Sequence, residues 1–129
     1  MLSDGEIVFH ADYAEVCLAT QVNLERVLAT SCLVFDDLSL QKPHVLWDCR
    51  GTQVGLTSAD LRVIANYARM RRAGRSFGRA GLLVDVDVAY GLARVLQVFA
   101  DNPSYEVMVF RDETQARAWV QEGIRPPES

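Results

Sequence analysis

The residues of this chain with most capacity for chemistry are its three cysteines and two histidines. Cys49 sits between Asp48 and Arg50, and a nearby guanidinium or helix start can lower a thiol pKa into the nucleophilic range. A cysteine nucleophile also needs a base, and the chain offers only His10 and His44. His44 begins the extended run that Cys49 ends, about 17 Å away over five residues of strand. Cys49 therefore reads as a buried structural thiol. His10-Ala11-Asp12 has alternate-residue spacing that could point two metal ligands one way, but no third or fourth ligand follows at diagnostic spacing. The expectation is a chain with no catalytic residues, no metal and no cofactor.

Charge gives a second candidate. Arg62, Arg69, Arg71, Arg72, Arg75 and Arg79 follow one another with no acidic residue between them. Guanidinium groups pair with phosphate and carboxylate through two parallel hydrogen bonds, and Tyr67 and Phe77 offer stacking surfaces. The rest of the chain holds 7 basic and 17 acidic residues, a net of -10. An anion patch at Arg69, Arg71, Arg72 and Arg75 is one reading, and a solvated helix face is the other. The whole-chain charge of -4 argues against nucleic acid as a partner, because phosphate neutralisation needs a basic surface. Gly74, Gly78 and Gly81 do not form a P-loop, since no Gly-Lys-Ser/Thr follows.

These residues must be positioned by secondary structure that the apolar pattern predicts. Glu6 to Ala11 reads as a strand, a turn follows at Asp12, and Tyr13 to Thr20 reads as its antiparallel hairpin partner. Leu24, Val27, Leu28 and Phe35 recur at helical spacing behind an Asn23 N-cap, with an end somewhere between Ser31 and Leu40. His44 to Cys49 is a short apolar run suited to a buried central strand. Thr57-Ser58-Ala59-Asp60 opens the next helix, with Ser58 as the capping acceptor and Leu61, Ile64, Ala65 and Ala68 inward. Ala80 to Val86 is the next strand, followed by a helix with Leu92, Val95, Leu96 and Phe99 inward. Tyr105 to Phe110 is the last strand. Asp112 caps a final helix that packs through Ala116, Trp119 and Val120 and ends at Gly123.

The order is ββαβαβαβα, which predicts an α/β domain over 1–124 with a loose tail over 125–129. Its single mixed sheet has about five strands, mostly parallel through right-handed crossovers. Ligands of such sheets gather at the carboxyl ends of the strands. That edge should collect Asp48, Cys49, Arg50, Asp85, Asp87 and Tyr90, with an ion pair between Asp48 and Arg50. The competing expectation is that Asp85 or Asp87 caps a helix and Asp48 orders a loop.

Half of the residues are hydrophobic and 23% are charged, an ordinary globular balance for one domain. The odd cysteine count without metal spacing suits reduced thiols. No basic n-region or long apolar stretch opens the chain, and no run reaches membrane-spanning length, so the expected location is the cytoplasm.

Three stretches carry a resemblance: Val45-Leu46-Trp47-Asp48-Cys49-Arg50-Gly51, then Ala89-Tyr90-Gly91-Leu92-Ala93-Arg94, then Val109-Phe110-Arg111-Asp112-Glu113 leading to Ala116-Arg117-Ala118-Trp119-Val120. In this order of elements the chain resembles the SpoIIAA-like domain family. Those bacterial proteins are relatives of the STAS (anti-sigma-factor antagonist) fold and share a general architecture with CRAL-TRIO lipid-binding domains. The likeness runs from the first strand to the last helix. It implies a non-enzymatic binding or regulatory module that works by protein–protein contact, self-association included, or that carries an apolar or lipid-like ligand. Asp48, Arg50, Ser58, Asp85, Asp87 and Tyr90 are then the candidate binding residues. A large enclosed apolar cavity would favour the carrier, and a flat self-complementary patch the interaction module. Anti-sigma-factor antagonists begin the helix after the central strand near a phosphorylatable serine that follows an aspartate. Here Asp48-Cys49-Arg50-Gly51-Thr52 has no such serine, and Ser58 comes later, so neither Thr52 nor Ser58 is expected to be a regulatory phosphosite.

Overall fold

In the computed structural model, which describes residues 4–10, 13–36, 44–72, 78–100 and 105–122, the apolar runs of the sequence become the strands of one sheet. These are β1 (Ile7–Phe9), β2 (Tyr13–Cys17), β4 (His44–Asp48), β6 (Gly78–Leu83) and β7 (Tyr105–Phe110), in the spatial order β1-β2-β4-β6-β7. β1 pairs antiparallel to β2, with Ile7 opposite Val16. Every later pairing is parallel, and Val45 stands opposite Ala80 at the centre. The helices are α1 (Leu24–Asp36), α2 (Ser58–Arg72), α3 (Asp87–Ala100) and α4 (Glu113–Glu122). The expected α/β class, the mixed sheet and its antiparallel first strand are all present.

A strand order that follows the chain has a direct consequence. Each crossover moves one strand along in the same direction, so crossovers of a single hand deposit α1, α2 and α3 on one face. Val45 packs there with Val27 and Val34 of α1 and Leu61 and Ile64 of α2. Ala80 and Val107 meet Ala65 of α2 and Ala100 of α3 on that same face. The alternate residues Tyr13, Leu46 and Leu83 point the other way, against Ala116 and Val120 of α4. At Gly81 a Cβ would lie 2.9 Å from Val120 Cγ2, so the missing side chain lets α4 rest on the sheet.

Five details differ from expectation. Two three-residue strands, β3 (Gln21–Asn23) and β5 (Gln53–Gly55), were absent from the predicted order and form a second, parallel two-stranded sheet. They follow the carboxyl ends of β2 and β4, whose regular pairing stops at Cys17 and Asp48 instead of running to Thr20 and Cys49. The strand expected to reach Val86 ends at Leu83. The cap of α2 is Thr57, not Ser58: Thr57 Oγ1 accepts from the Asp60 amide at 3.1 Å, and Asp60 Oδ2 accepts from the Thr57 amide at 3.0 Å. That reciprocal box satisfies two otherwise unpaired N–H groups and leaves Ser58 as the exposed first helical residue. Val95 is 37% exposed, since Ala89 and Ala93 take the inward positions of α3. The caps at Asn23 and Asp112 form as expected, accepting from Arg26 N at 2.9 Å and Gln115 N at 3.1 Å. Gly123 and the tail over 125–129 lie outside the described residues.

Candidate functional site

Small residues decide where space remains between the layers. Ala65 and Ala68 of α2, Ala89, Ala93 and Ala100 of α3, and Ala80 of β6 face one another and leave a cavity of about 110 Å³. Trp47, Leu82 and Val107 line it from the sheet, and Val22, Val54 and Leu56 line it beside the small β3–β5 sheet. Among its lining residues Ser31 and Cys49 are the small polar ones. Water needs two to four polar partners, so an apolar cavity stays dry, and one of about 150 Å³ accepts benzene.

Cys49 lies in this lining. Burial pushes its thiol up to about 12, and the neighbouring Asp48 charge adds to the rise. A thiol raised this far is protonated at neutral pH and is not activated for attack. Neither histidine lines the cavity. His44 is fully buried and its Nδ1 accepts from Arg79 N at 3.0 Å, while His10 Nε2 meets Glu15 Oε1 at 2.8 Å.

The carboxyl edge of the sheet does gather the expected charges, but it turns them on each other. Arg50 donates to both oxygens of Asp48, at 3.0 and 2.8 Å, and to Glu113 of α4 at 2.6 Å. Asp48 also accepts from the Arg50 amide at 3.2 Å and so orders its own loop. Asp85 accepts from Gly51 N at 2.9 Å; it holds the turn after β4, where Gly51 adopts φ +72°, a left-handed conformation that suits glycine. Asp87 pairs with Arg111 at 2.8 Å, and that guanidinium lies 4.5 Å over the Tyr90 ring. Five of the six predicted binding residues thus fall into two groups, Asp48, Arg50 and Asp85 about the turn after β4 and Asp87 and Tyr90 about Arg111. Among the described residues no hydrogen bond or ion pair links Ser58 to either.

Sequence reasoning missed Glu15. This buried carboxylate on β2 accepts from Arg117 at 2.5 Å, from His10 at 2.8 Å and from the Tyr13 hydroxyl at 3.2 Å. Through Arg117, Glu113 and Arg50 it joins a ladder of alternating charge that reaches Asp48. The signal was an acid inside the apolar run Tyr13-Ala14-Glu15-Val16-Cys17, because a buried charge requires a partner.

The shifted groups all move away from neutrality. Burial alone would raise Glu15 and Asp48, but the hydrogen bonds from Arg117 and His10, and from Arg50, outweigh it and hold both carboxyls low. Asp4 falls to about 2, chiefly through Arg26. Burial raises the thiol of Cys17 and the hydroxyls of Tyr13 and Tyr105. None of these is poised to exchange a proton near pH 7, the usual mark of acid–base chemistry. Among the described residues no three His, Cys, Asp or Glu side chains gather as metal ligands.

The arginines of the basic run separate. Arg62 covers the Phe99 ring at 4.4 Å. Arg69 donates to the Phe99 carbonyl at 3.0 Å. Arg71 pairs with Asp36 and donates to Tyr67 at 2.7 Å. Arg72 is only 4% exposed and lies 4.9 Å over Tyr105, so it belongs to the interior and not to a surface patch. Arg79 points to the α4 face, where it stacks 4.7 Å over Trp119. Arg75 and Phe77 lie outside the described residues. Arginine tolerates these sites because its delocalised charge is weakly hydrated and attracted to aromatic faces.

Comparison of the chain with family models, curated proteins and solved structures finds no match. Two surfaces remain of functional interest beside the cavity. Val63 and Met70 of α2 are 44% and 66% exposed, and Val88 and Val98 of α3 are 70% and 76% exposed. Among the described residues no helix is long and apolar enough to cross a membrane.

Proposed function

We propose that this chain is a non-enzymatic binding module that holds a small apolar molecule between its sheet and the α1–α3 layer. The observation that carries the proposal is the apolar cavity of about 110 Å³, walled by alanines that larger side chains would fill. The likeness to SpoIIAA-like domains, and through them to lipid-carrying CRAL-TRIO architecture, supports it. The free thiols of Cys17, Cys32 and Cys49 suit a reducing compartment such as the cytoplasm. Calorimetry and thermal unfolding with benzene, cyclohexane and decanoic acid test the reading. A ligand at a hundred times its Kd stabilises the fold by about 2.7 kcal/mol, and Ala93→Leu, which fills the cavity, should remain folded and lose that response. No stabilisation by any of the three, or an equal response in Ala93→Leu, would refute the reading.

A second reading, a protein-interaction module of the STAS type, is favoured by the exposed valines of α3. Its binding surface is then the outer helix face instead of Asp48 and Arg50, whose charges are engaged internally.

A further inference from the structure

α3 has two unlike sides. Ala89, Ala93 and Ala100 are buried toward the sheet, and the opposite side carries Asp87, Val88, Gly91, Arg94, Val95 and Val98. Two observations separate this outer side from an ordinary solvated face. Glycine within a helix is a destabilising choice, yet a Cβ at Gly91 would meet nothing within 4 Å. Among the described residues nothing requires a glycine there. The second observation is charge. Asp87 and Arg94 are the only charged residues of the helix and are opposite in sign. They lie seven residues apart, two helical turns, and therefore on one stripe.

Val88 and Val95 repeat the same spacing beside them. The midpoint of each pair falls half a residue to either side of Gly91. From this symmetry the geometry points to self-association: a second copy of this chain docks its α3 antiparallel on α3, about a twofold axis at Gly91. The axis sets Asp87 against the partner's Arg94, Val88 against the partner's Val95, and Gly91 against the partner's Gly91. Two facing glycines let the helix axes approach closely. Asp87 already pairs with Arg111, but its side chain is 93% exposed, so it can take a second cation. The same axis carries Val98 toward the partner's Val86, which precedes the helix and is 48% exposed. A parallel arrangement would instead bring like charges together, which selects against it. The contact is isologous, as twofold dimers require.

This inference rests on the interaction reading above and narrows the partner to an identical chain. Sedimentation velocity over a wide concentration range should show a monomer–dimer equilibrium. Gly91→Glu has open space in the monomer, so it should keep the fold by circular dichroism and raise the dimer Kd more than about tenfold. Arg94→Glu should weaken the dimer, and Asp87→Lys added to it should restore association. A wild-type monomer at every concentration, a dimer indifferent to Gly91→Glu, or a double variant no tighter than Arg94→Glu would each overturn self-association. If cross-linking in host extract is also unchanged by Gly91→Glu, the interaction reading falls with it.

Discussion

Cys49 is flanked by the two charges that could have tuned it, and neither activates it. Asp48 repels a thiolate, while the Arg50 guanidinium is turned toward Asp48 and Glu113. With the thiol raised to about 12, native protein at neutral pH should label slowly at Cys49, which mass spectrometry of alkylated peptides can follow. Cys49→Ala should enlarge the cavity and cost about 1 kcal/mol, read from denaturant midpoints. Glu15 gives a pH dependence with a definite sign. Its folded pKa lies below the unfolded value of about 4.3, so the stability it supplies is complete above that value and fades as pH falls through the lower, folded one. Asp48 acts in the same sense. The urea midpoint should stay level from neutral pH to about pH 5 and fall below it, and Glu15→Gln should flatten the fall while costing about 1–3 kcal/mol at neutral pH. The Asp48–Arg50 pair was legible because its members are two positions apart. Glu15 and Arg117 are 102 positions apart, and no local pattern announces such a pair.

Elements were legible where apolar runs were long enough to impose a period. Tyr105–Phe110 is the strand the sequence predicts, and α2 buries Leu61, Ile64 and Ala65 as its spacing requires. β3 and β5 escaped notice because Gln-Val-Asn and Gln-Val-Gly carry one apolar residue each, and their pairing joins distant parts of the chain. Val95 was misplaced because it fits the inward stripe by hydropathy, whereas the sheet accepts only small residues at Ala89 and Ala93. Two glycines make opposed predictions. Gly81→Ala would drive a Cβ to 2.9 Å from Val120 and should cost about 1–3 kcal/mol through overpacking, partly recovered by Val120→Ala. Gly91→Ala meets no atom, and should add up to about 1 kcal/mol to monomer stability through helix propensity. Chemical denaturation of both variants decides the comparison.

Three helices cover one face of the sheet and a single helix covers the other, so the thicker layer contains the cavity while α4 closes tightly over Gly81. The run of arginines, which as a string of letters suggests one positive surface, is drawn apart by Phe99, Tyr105, Asp36 and Trp119 on different elements. Composition records the charges but not the directions in which they point. The two-sidedness of α3 has a thermodynamic consequence. Its alanine side is a wall of the cavity, and its valine and glycine side is the surface assigned above to a second chain. A guest molecule and a partner subunit would therefore act on opposite sides of one helix, and any displacement of α3 that one imposes changes the site of the other. Linkage makes that dependence reciprocal: because a dimer holds two cavities, the factor by which saturating benzene changes the dimer dissociation constant must equal the square of the factor by which dimerisation changes the affinity of each protomer for benzene. Calorimetric titration of benzene into dilute and concentrated protein should give two different affinities, and Gly91→Glu should hold both at the dilute value.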